Sequence, residues 1–149
     1  MRLTAFSDVC LRVLMVLCAD PGAELSTTKE LAEAVGTPYN HVSKAVLKLR
    51  NLGLVEAVRG RSGGVRISTA GMSASVGSLL RTLDERQDVA ECLSANGDCP
   101  LLDGCGLRGA LARAREAFYA ELDPVVVSSL APARRHGPVP VTLGTHRPE

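Results

Sequence analysis

The stretch TKELAEAVGTPYNHVSKAVLKLRNLG, residues 28–53, decides the fold. It contains two short helical patterns joined through Gly36-Thr37. Thr27 with Glu30 forms a capping box that starts the first helix, and Gly36 ends it. Thr37 is expected to cap the second helix, with Pro38 in its first position. The apolar stripes are Leu31, Ala32 and Val35 in the first helix and Val42, Ala45, Val46 and Leu49 in the second. This pattern predicts a helix-turn-helix.

The second helix of such a pair enters the major groove of DNA. Polar side chains on its outer side can donate to phosphates, and several can read base edges. The candidate DNA-binding residues of the two helices are Thr28, Pro38, Tyr39, Asn40, His41, Ser43, Lys44 and Lys48. Helical hairpins that bind no DNA are also common, so this segment alone leaves both possibilities open.

Two short β-strand patterns, residues 54–58 and 65–68, follow directly and predict a hairpin. The turn between them carries Arg59, Arg61 and Gly63, which we assign to DNA contact. Residues 38–68 hold six basic side chains against one acidic side chain, the charge expected of a nucleic-acid face. The predicted fold class is therefore mainly α with a small β-hairpin wing, a winged helix-turn-helix.

Further helices flank this unit. Residues 3–19 predict a buried helix, in which Cys10 and Cys18 lie on the apolar face and are interpreted as core residues. A helix capped by Ser73 or Ser75 follows the wing. An amphipathic pattern then runs from 107 to 122, with its apolar stripe at Leu107, Ala110, Leu111, Ala114, Ala117, Phe118 and Leu122. A two-fold partner would cover this long dimerisation helix, and packing within one subunit is the alternative.

The chain divides into three predicted regions. Residues 1–72 form the DNA-binding domain, and residues 73–130 hold a cysteine loop and the dimerisation helices. Residues 131–149 are rich in proline and small polar residues and predict a disordered tail.

Three cysteines, Cys92, Cys99 and Cys105, lie in the stretch ECLSANGDCPLLDGC at residues 91–105. Structural zinc sites usually contain a pair of ligands with about two to four residues between them, whereas six and five residues lie between the cysteines here. The wider gaps here favour an iron–sulfur cluster. A disulfide, a zinc site and unligated surface thiols remain open.

Composition narrows the class of protein. The longest apolar run, residues 9–19, is too short to span a bilayer and contains Arg12. It also lacks the features of an export signal, which predicts a cytoplasmic protein without membrane contact, where stable disulfides are uncommon. The sequence shows none of the motifs that would indicate an enzyme, such as a nucleophile–base pair, a phosphate-binding loop or paired carboxylates.

Together, MRLTAFSDVCLRVLMVL at the start, the helix-turn-helix with its wing and the three-cysteine loop resemble the Rrf-type winged-helix iron–sulfur regulators. The resemblance covers about residues 1–125 and is strongest to the nitric-oxide-sensing branch. It implies a homodimer on a partly palindromic double-stranded operator. It also implies a [4Fe–4S] cluster held by the three cysteines and by Asp8, which reaches across the dimer. A [2Fe–2S] cluster is the alternative.

The fourth ligand separates the branches of this family. One branch uses a histidine three residues after the last cysteine, and Arg108 stands at that position here. Cys10, two residues after Asp8, is a rival ligand. The resemblance implies a repressor that leaves its operator when nitric oxide attacks the cluster. The alternatives are a regulator that senses iron–sulfur or redox status and a zinc-stabilised DNA-binding module.

Overall fold

The computed structural model describes residues 3–22, 25–84, 90, 93, 99–101 and 103–131. Their helices are α1 Ala5–Cys18, α2 Thr28–Val35, α3 Tyr39–Asn51, α4 Thr69–Met72, α5 Val76–Leu83 and α6 Gly106–Leu122. Strands β1 Val55–Val58 and β2 Gly64–Ile67 lie between α3 and α4, and a 3₁₀ turn covers Val127–Leu130. This architecture confirms the mainly helical fold with a two-stranded wing. Within the described ranges, no helix is long and apolar enough to cross a membrane.

Local capping bonds set the helix-turn-helix. The Thr27 backbone N–H donates to the Glu30 carboxylate at 2.7 Å, and the Glu30 N–H donates to the Thr27 hydroxyl at 3.2 Å. Gly36 then takes the left-handed conformation, with φ of 66°, and ends α2. The expectation for Thr37 was wrong: Pro38 occupies the N-cap position, with ψ of 140°, and α3 begins at Tyr39. Proline fits either position because the ring fixes φ and leaves ψ to the surrounding packing.

The wing is an antiparallel hairpin in which Val55 pairs with Ile67 and Val58 pairs with Gly64. Its turn depends on two glycines. Gly60 has φ of 117°, and a Cβ atom at Gly63 would overlap the carbonyl oxygen of Val58. Gly63 is therefore required by the turn itself, before any role at a DNA surface.

One buried cluster joins the elements. Helix α1 packs against α2 and α3, and also against the 3₁₀ turn. The cluster includes Leu14 of α1, Leu49 of α3, Leu80 of α5 and Val127. It thus draws on both predicted domains, and the division at residue 72 remains a prediction. Residues 132–149 of the predicted tail lie outside the described part of the chain.

Helices α5 and α6 approach closely at Gly77, where a Cβ atom would overlap the Tyr119 carbonyl and the Asp123 carboxylate. Beside this contact, Arg81 binds Asp123 through Nη1 at 2.6 Å and lies 5.1 Å from the Tyr119 ring centroid. The Tyr119 hydroxyl donates to Asp84 at 3.2 Å. Tyr119 is buried, although the predicted apolar stripe of α6 omitted it.

Candidate functional site

The outer face of α3 is open to solvent. Its core face consists of Val42, Ala45, Val46 and Leu49. Of the predicted DNA-binding residues in α2 and α3, Pro38, Tyr39, Asn40, His41 and Lys44 are exposed, and Thr28, Ser43 and Lys48 are half-buried. Each side chain of this predicted set therefore has part of its surface open to solvent.

The wing, formed by β1 and β2, adds exposed basic side chains to those of α3. Arg59 and Arg61 are exposed in the turn between β1 and β2. Arg66, also on the hairpin, forms an ion pair with Glu56 at 2.7 Å. This pair is exposed and therefore weak, so Arg66 remains available for phosphate contact together with Arg59 and Arg61.

Two further exposed residues lie on the outer face of α3. At 100° per residue, the line opposite the core stripe of α3 runs through Asn40, Lys44, Leu47 and Asn51. Leu47 is 50% exposed, and Asn51 is exposed. Neither residue is among the predicted DNA-binding residues, although the helical period places both of them opposite the core stripe.

The cysteine loop is described only in part. Cys92 lies outside the described residues, whereas Cys99 and Cys105 are half-buried free thiols. Cys105 is the N-cap residue of α6, and its side chain makes no capping hydrogen bond. A helix N-terminus favours a negatively charged group such as a thiolate. Among the described residues, which do not include Cys92, no three metal-ligating side chains lie together. The chemistry of the two described thiols fits thiolate ligation of iron.

Asp8 lies on the first turn of α1, beside an open depression that it lines with Leu3, Thr4 and Ala5. Its carboxylate forms an ion pair with Arg12 at 2.9 Å. Exposed pairs of this kind contribute about 0.3–0.5 kcal/mol, so exchanging Arg12 for another cationic partner costs little. Asp8 is therefore accessible to a group approaching from outside this subunit.

Cys10 and Cys18 lie in the core. Cys10 is fully buried, and burial raises the pKa of its thiol to about 12, although the charge of Lys48 opposes the shift. Burial also raises the pKa of Cys18. A neutral, buried thiol is a poor metal ligand, since the thiolate is the ligating form. These positions agree with the interpretation of both cysteines as core residues.

Most of the predicted apolar stripe of α6 is uncovered. Within this helix, Tyr119 is the buried residue. Leu107 is 65% exposed, and Ala110, Ala114 and Ala117 are exposed. The described part of the chain therefore leaves an apolar surface along α6 uncovered.

Comparisons with known proteins agree with this geometry. Residues 3–133 match the Rrf2 family, described as an iron-dependent transcriptional regulator. The chain is 48% identical over 149 residues to the HTH-type transcriptional repressor NsrR of Streptomyces coelicolor, covering 99% of each protein. It is 36% identical over 131 residues to the HTH-type transcriptional regulator NsrR of Bacillus subtilis, covering 87% of this chain and 90% of that protein.

Solved structures support the fold. The T. potens IscR structure aligns with a TM-score of 0.67 at 18% identity and covers 87% of this chain and 85% of that one. Staphylococcus aureus CymR aligns with a TM-score of 0.67 at 24% identity, covering 88% of this chain and 98% of that one.

Proposed function

This chain belongs to the Rrf2 family of transcriptional regulators, and from that premise we propose that it is a homodimeric repressor whose iron–sulfur cluster senses nitric oxide. Its relatives are DNA-binding regulators and not enzymes. The observation that carries the proposal is the open polar face of α3 beside a wing with two exposed arginines.

In the proposed complex, α3 enters the major groove. Asn40 and Lys44 on the exposed face have the chemistry to contact bases and phosphates. Arg59 and Arg61 on the wing contact phosphates or a narrow minor groove. Because several cations neutralise phosphates, operator affinity falls steeply as the salt concentration rises.

Cys92, Cys99 and Cys105 would hold three corners of a [4Fe–4S] cluster, with Asp8 of the partner subunit as the fourth ligand. Bound there, the cluster supplies iron that reacts with nitric oxide. The free thiols of Cys99 and Cys105, the helix N-terminus at Cys105 and the weakly held carboxylate of Asp8 support this assignment. The burial of Cys10 favours Asp8 over Cys10 as the fourth ligand.

The packing of α1 suggests how such a ligand controls DNA binding. Asp8 is on α1, and α1 packs directly against the reading helix α3. If the Asp8 carboxylate held a cluster on the other subunit, it would tie α1 of one protomer to its partner and limit how the two copies of α3 can rotate relative to each other. Half-sites on DNA lie about 34–36 Å apart, so a small rotation misplaces contacts worth about 1–3 kcal/mol per base pair.

The proposed dimer is formed through α6. Its exposed stripe, with Leu107 at one end, supplies an apolar surface that a two-fold copy of the same helix covers. The free Cys105 thiol begins the same helix, which would place the cluster beside the dimer interface.

Oxygen-free purification tests the proposal. We expect coloured protein with iron and sulfide in the wild type, and loss of both in Cys99→Ser and Cys105→Ser. Cys18→Ala controls for the removal of a cysteine outside the loop and should keep the cluster. Colourless protein that contains zinc would instead identify a zinc-stabilised DNA-binding module.

Asp8 has its own matched control. Asp8→Ala should change the absorbance and the reaction with nitric oxide. Arg12→Ala removes the ion-pair partner but leaves the carboxylate, so it should behave like the wild type. Identical spectra and identical nitric oxide reactivity in Asp8→Ala and the wild type would exclude Asp8 from the site.

A further inference from the structure

Leu47 lies in the middle of a polar reading face. Helical geometry aligns it with Asn40, Lys44 and Asn51 on the side of α3 opposite the core. It is 50% exposed and belongs neither to the buried cluster nor to the apolar residues that pack against that cluster. The folded chain therefore gains little from an apolar side chain at this position.

The side chains next to Leu47 on α3 indicate which group on DNA it contacts. Along the helix axis, Leu47 is about 4.5 Å from Lys44 and about 6 Å from Asn51. Base pairs are spaced by about 3.4 Å, so all three side chains lie over a span of a few base pairs. In the major groove, an asparagine amide pairs with adenine, and an apolar side chain contacts the C5-methyl group of thymine. An amide and an apolar group at this spacing suit a run of A·T pairs.

We propose that Leu47 is a specificity-determining residue that contacts a thymine methyl group in the major groove of each half-site. This inference rests on the proposed entry of α3 into that groove. It goes beyond that proposal by naming the chemical group that is read. The predicted operator has a thymine at a fixed position in each half-site, where replacement by uracil removes only the methyl group.

The test begins with the full-length protein purified without oxygen. A random pool of DNA duplexes is enriched for binding, and the tightest operator is then resynthesised with single deoxyuridine replacements for thymine. At one pair of symmetry-related positions, uracil should weaken wild-type binding about four-fold per half-site, the loss expected for one buried methyl group. Uracil at the other positions should have smaller effects.

A double-mutant cycle then assigns the methyl contact to Leu47. Leu47→Ala should bind the thymine operator more weakly than the wild type and should lose the discrimination against uracil at that one position. Leu47→Met keeps an apolar side chain and should restore most of the discrimination. The far-UV circular dichroism spectra should match, since Leu47 lies outside the buried cluster.

Lys44→Ala is the matched control on the same face. It should weaken binding to every operator and lower the salt slope by about one, because it removes a phosphate contact. It should nevertheless keep the wild-type discrimination against uracil.

The failures of the two proposals are distinguishable. If the wild-type protein enriches no sequence, the assignment of α3 as a reading helix fails, and the inference about Leu47 falls with it. If a sequence is enriched but Leu47→Ala keeps full sensitivity to uracil at every thymine, DNA reading stands and the role of Leu47 is wrong. Unchanged affinity of Leu47→Ala would overturn the inference in the same way.

Discussion

Replacing Gly77 by alanine should push α5 away from α6. The added Cβ would overlap the Tyr119 carbonyl and the Asp123 carboxylate, and would lie 2.8 Å from the Asp123 backbone nitrogen. Carbon atoms in ordinary contact are about 3.5–4.0 Å apart, so the two helices must separate. Two of these neighbours are backbone atoms, which cannot move aside as a flexible side chain can.

The magnitude follows from two opposing effects. Overpacking typically costs about 1–3 kcal/mol, and contact with backbone atoms places this site in the upper half of that range. Replacing a helical glycine by alanine returns up to about 1 kcal/mol. The free energy of unfolding should therefore fall by about 1–2 kcal/mol, which lowers Tm by about 2–8 °C for a chain of this size.

The assay is thermal and urea unfolding of metal-free, reduced protein, followed by far-UV circular dichroism. Gly109→Ala is the matched control, because Gly109 is also helical and its nearest neighbour is the flexible Arg113 Nη1 at 3.4 Å. It should raise Tm by about 2–4 °C through helix propensity. If Gly77→Ala were stabilising to the same extent as Gly109→Ala, the close approach of α5 and α6 at Gly77 would be refuted.

Three more perturbations test other contacts of the fold. Ser68→Ala removes a buried hydroxyl that donates to a backbone carbonyl at 2.7 Å and caps α4, and it should lower the free energy of unfolding by about 1–2 kcal/mol in urea titrations. Ser68→Thr, which keeps a hydroxyl, should lose less. Thr27→Ala removes the hydroxyl from the capping box and should cost about 1 kcal/mol at neutral pH. The backbone N–H of Thr27 and, to a smaller extent, its hydroxyl lower the pKa of Glu30 by hydrogen bonding, and alanine keeps the N–H. The share of the difference that comes from the hydroxyl–carboxylate bond should therefore fade as the pH falls through the lowered value, and a difference that grew at low pH would contradict this account. Arg81 lowers the pKa of Asp123 by hydrogen bonding, so in Arg81→Met the Asp123 carboxyl should titrate at higher pH by NMR, and an unchanged titration would exclude the pair in solution.

Local sequence signals predicted most of the helices and strands of the winged helix-turn-helix. The capping box at Thr27, the left-handed Gly36 and the alternating strands of the wing each depend on residues close together in the chain. Helix α4 was missed because four residues are too few to show a period. The predicted start of α3 was wrong by one residue, because the proline ring of Pro38 fixes φ but leaves ψ to the surrounding packing.

Contacts between distant parts of the chain were harder to predict. Tyr119 is buried because Asp84 accepts from its hydroxyl and Arg81 covers its ring, and both partners lie more than thirty residues earlier in the sequence. An apolar pattern cannot show such a contact. The same limit applies to Asp8, whose proposed ligand role depends on a second subunit and therefore on no spacing within one chain.

The most direct measurement is the operator affinity of the iron-loaded protein during titration with nitric oxide under argon. The wild-type protein should lose operator binding as nitric oxide is added, and Cys105→Ser, which should lack the cluster, should show no response to it. If the iron-loaded wild type kept its full operator affinity at saturating nitric oxide, or if Cys105→Ser responded in the same way, the cysteine loop would not control DNA binding.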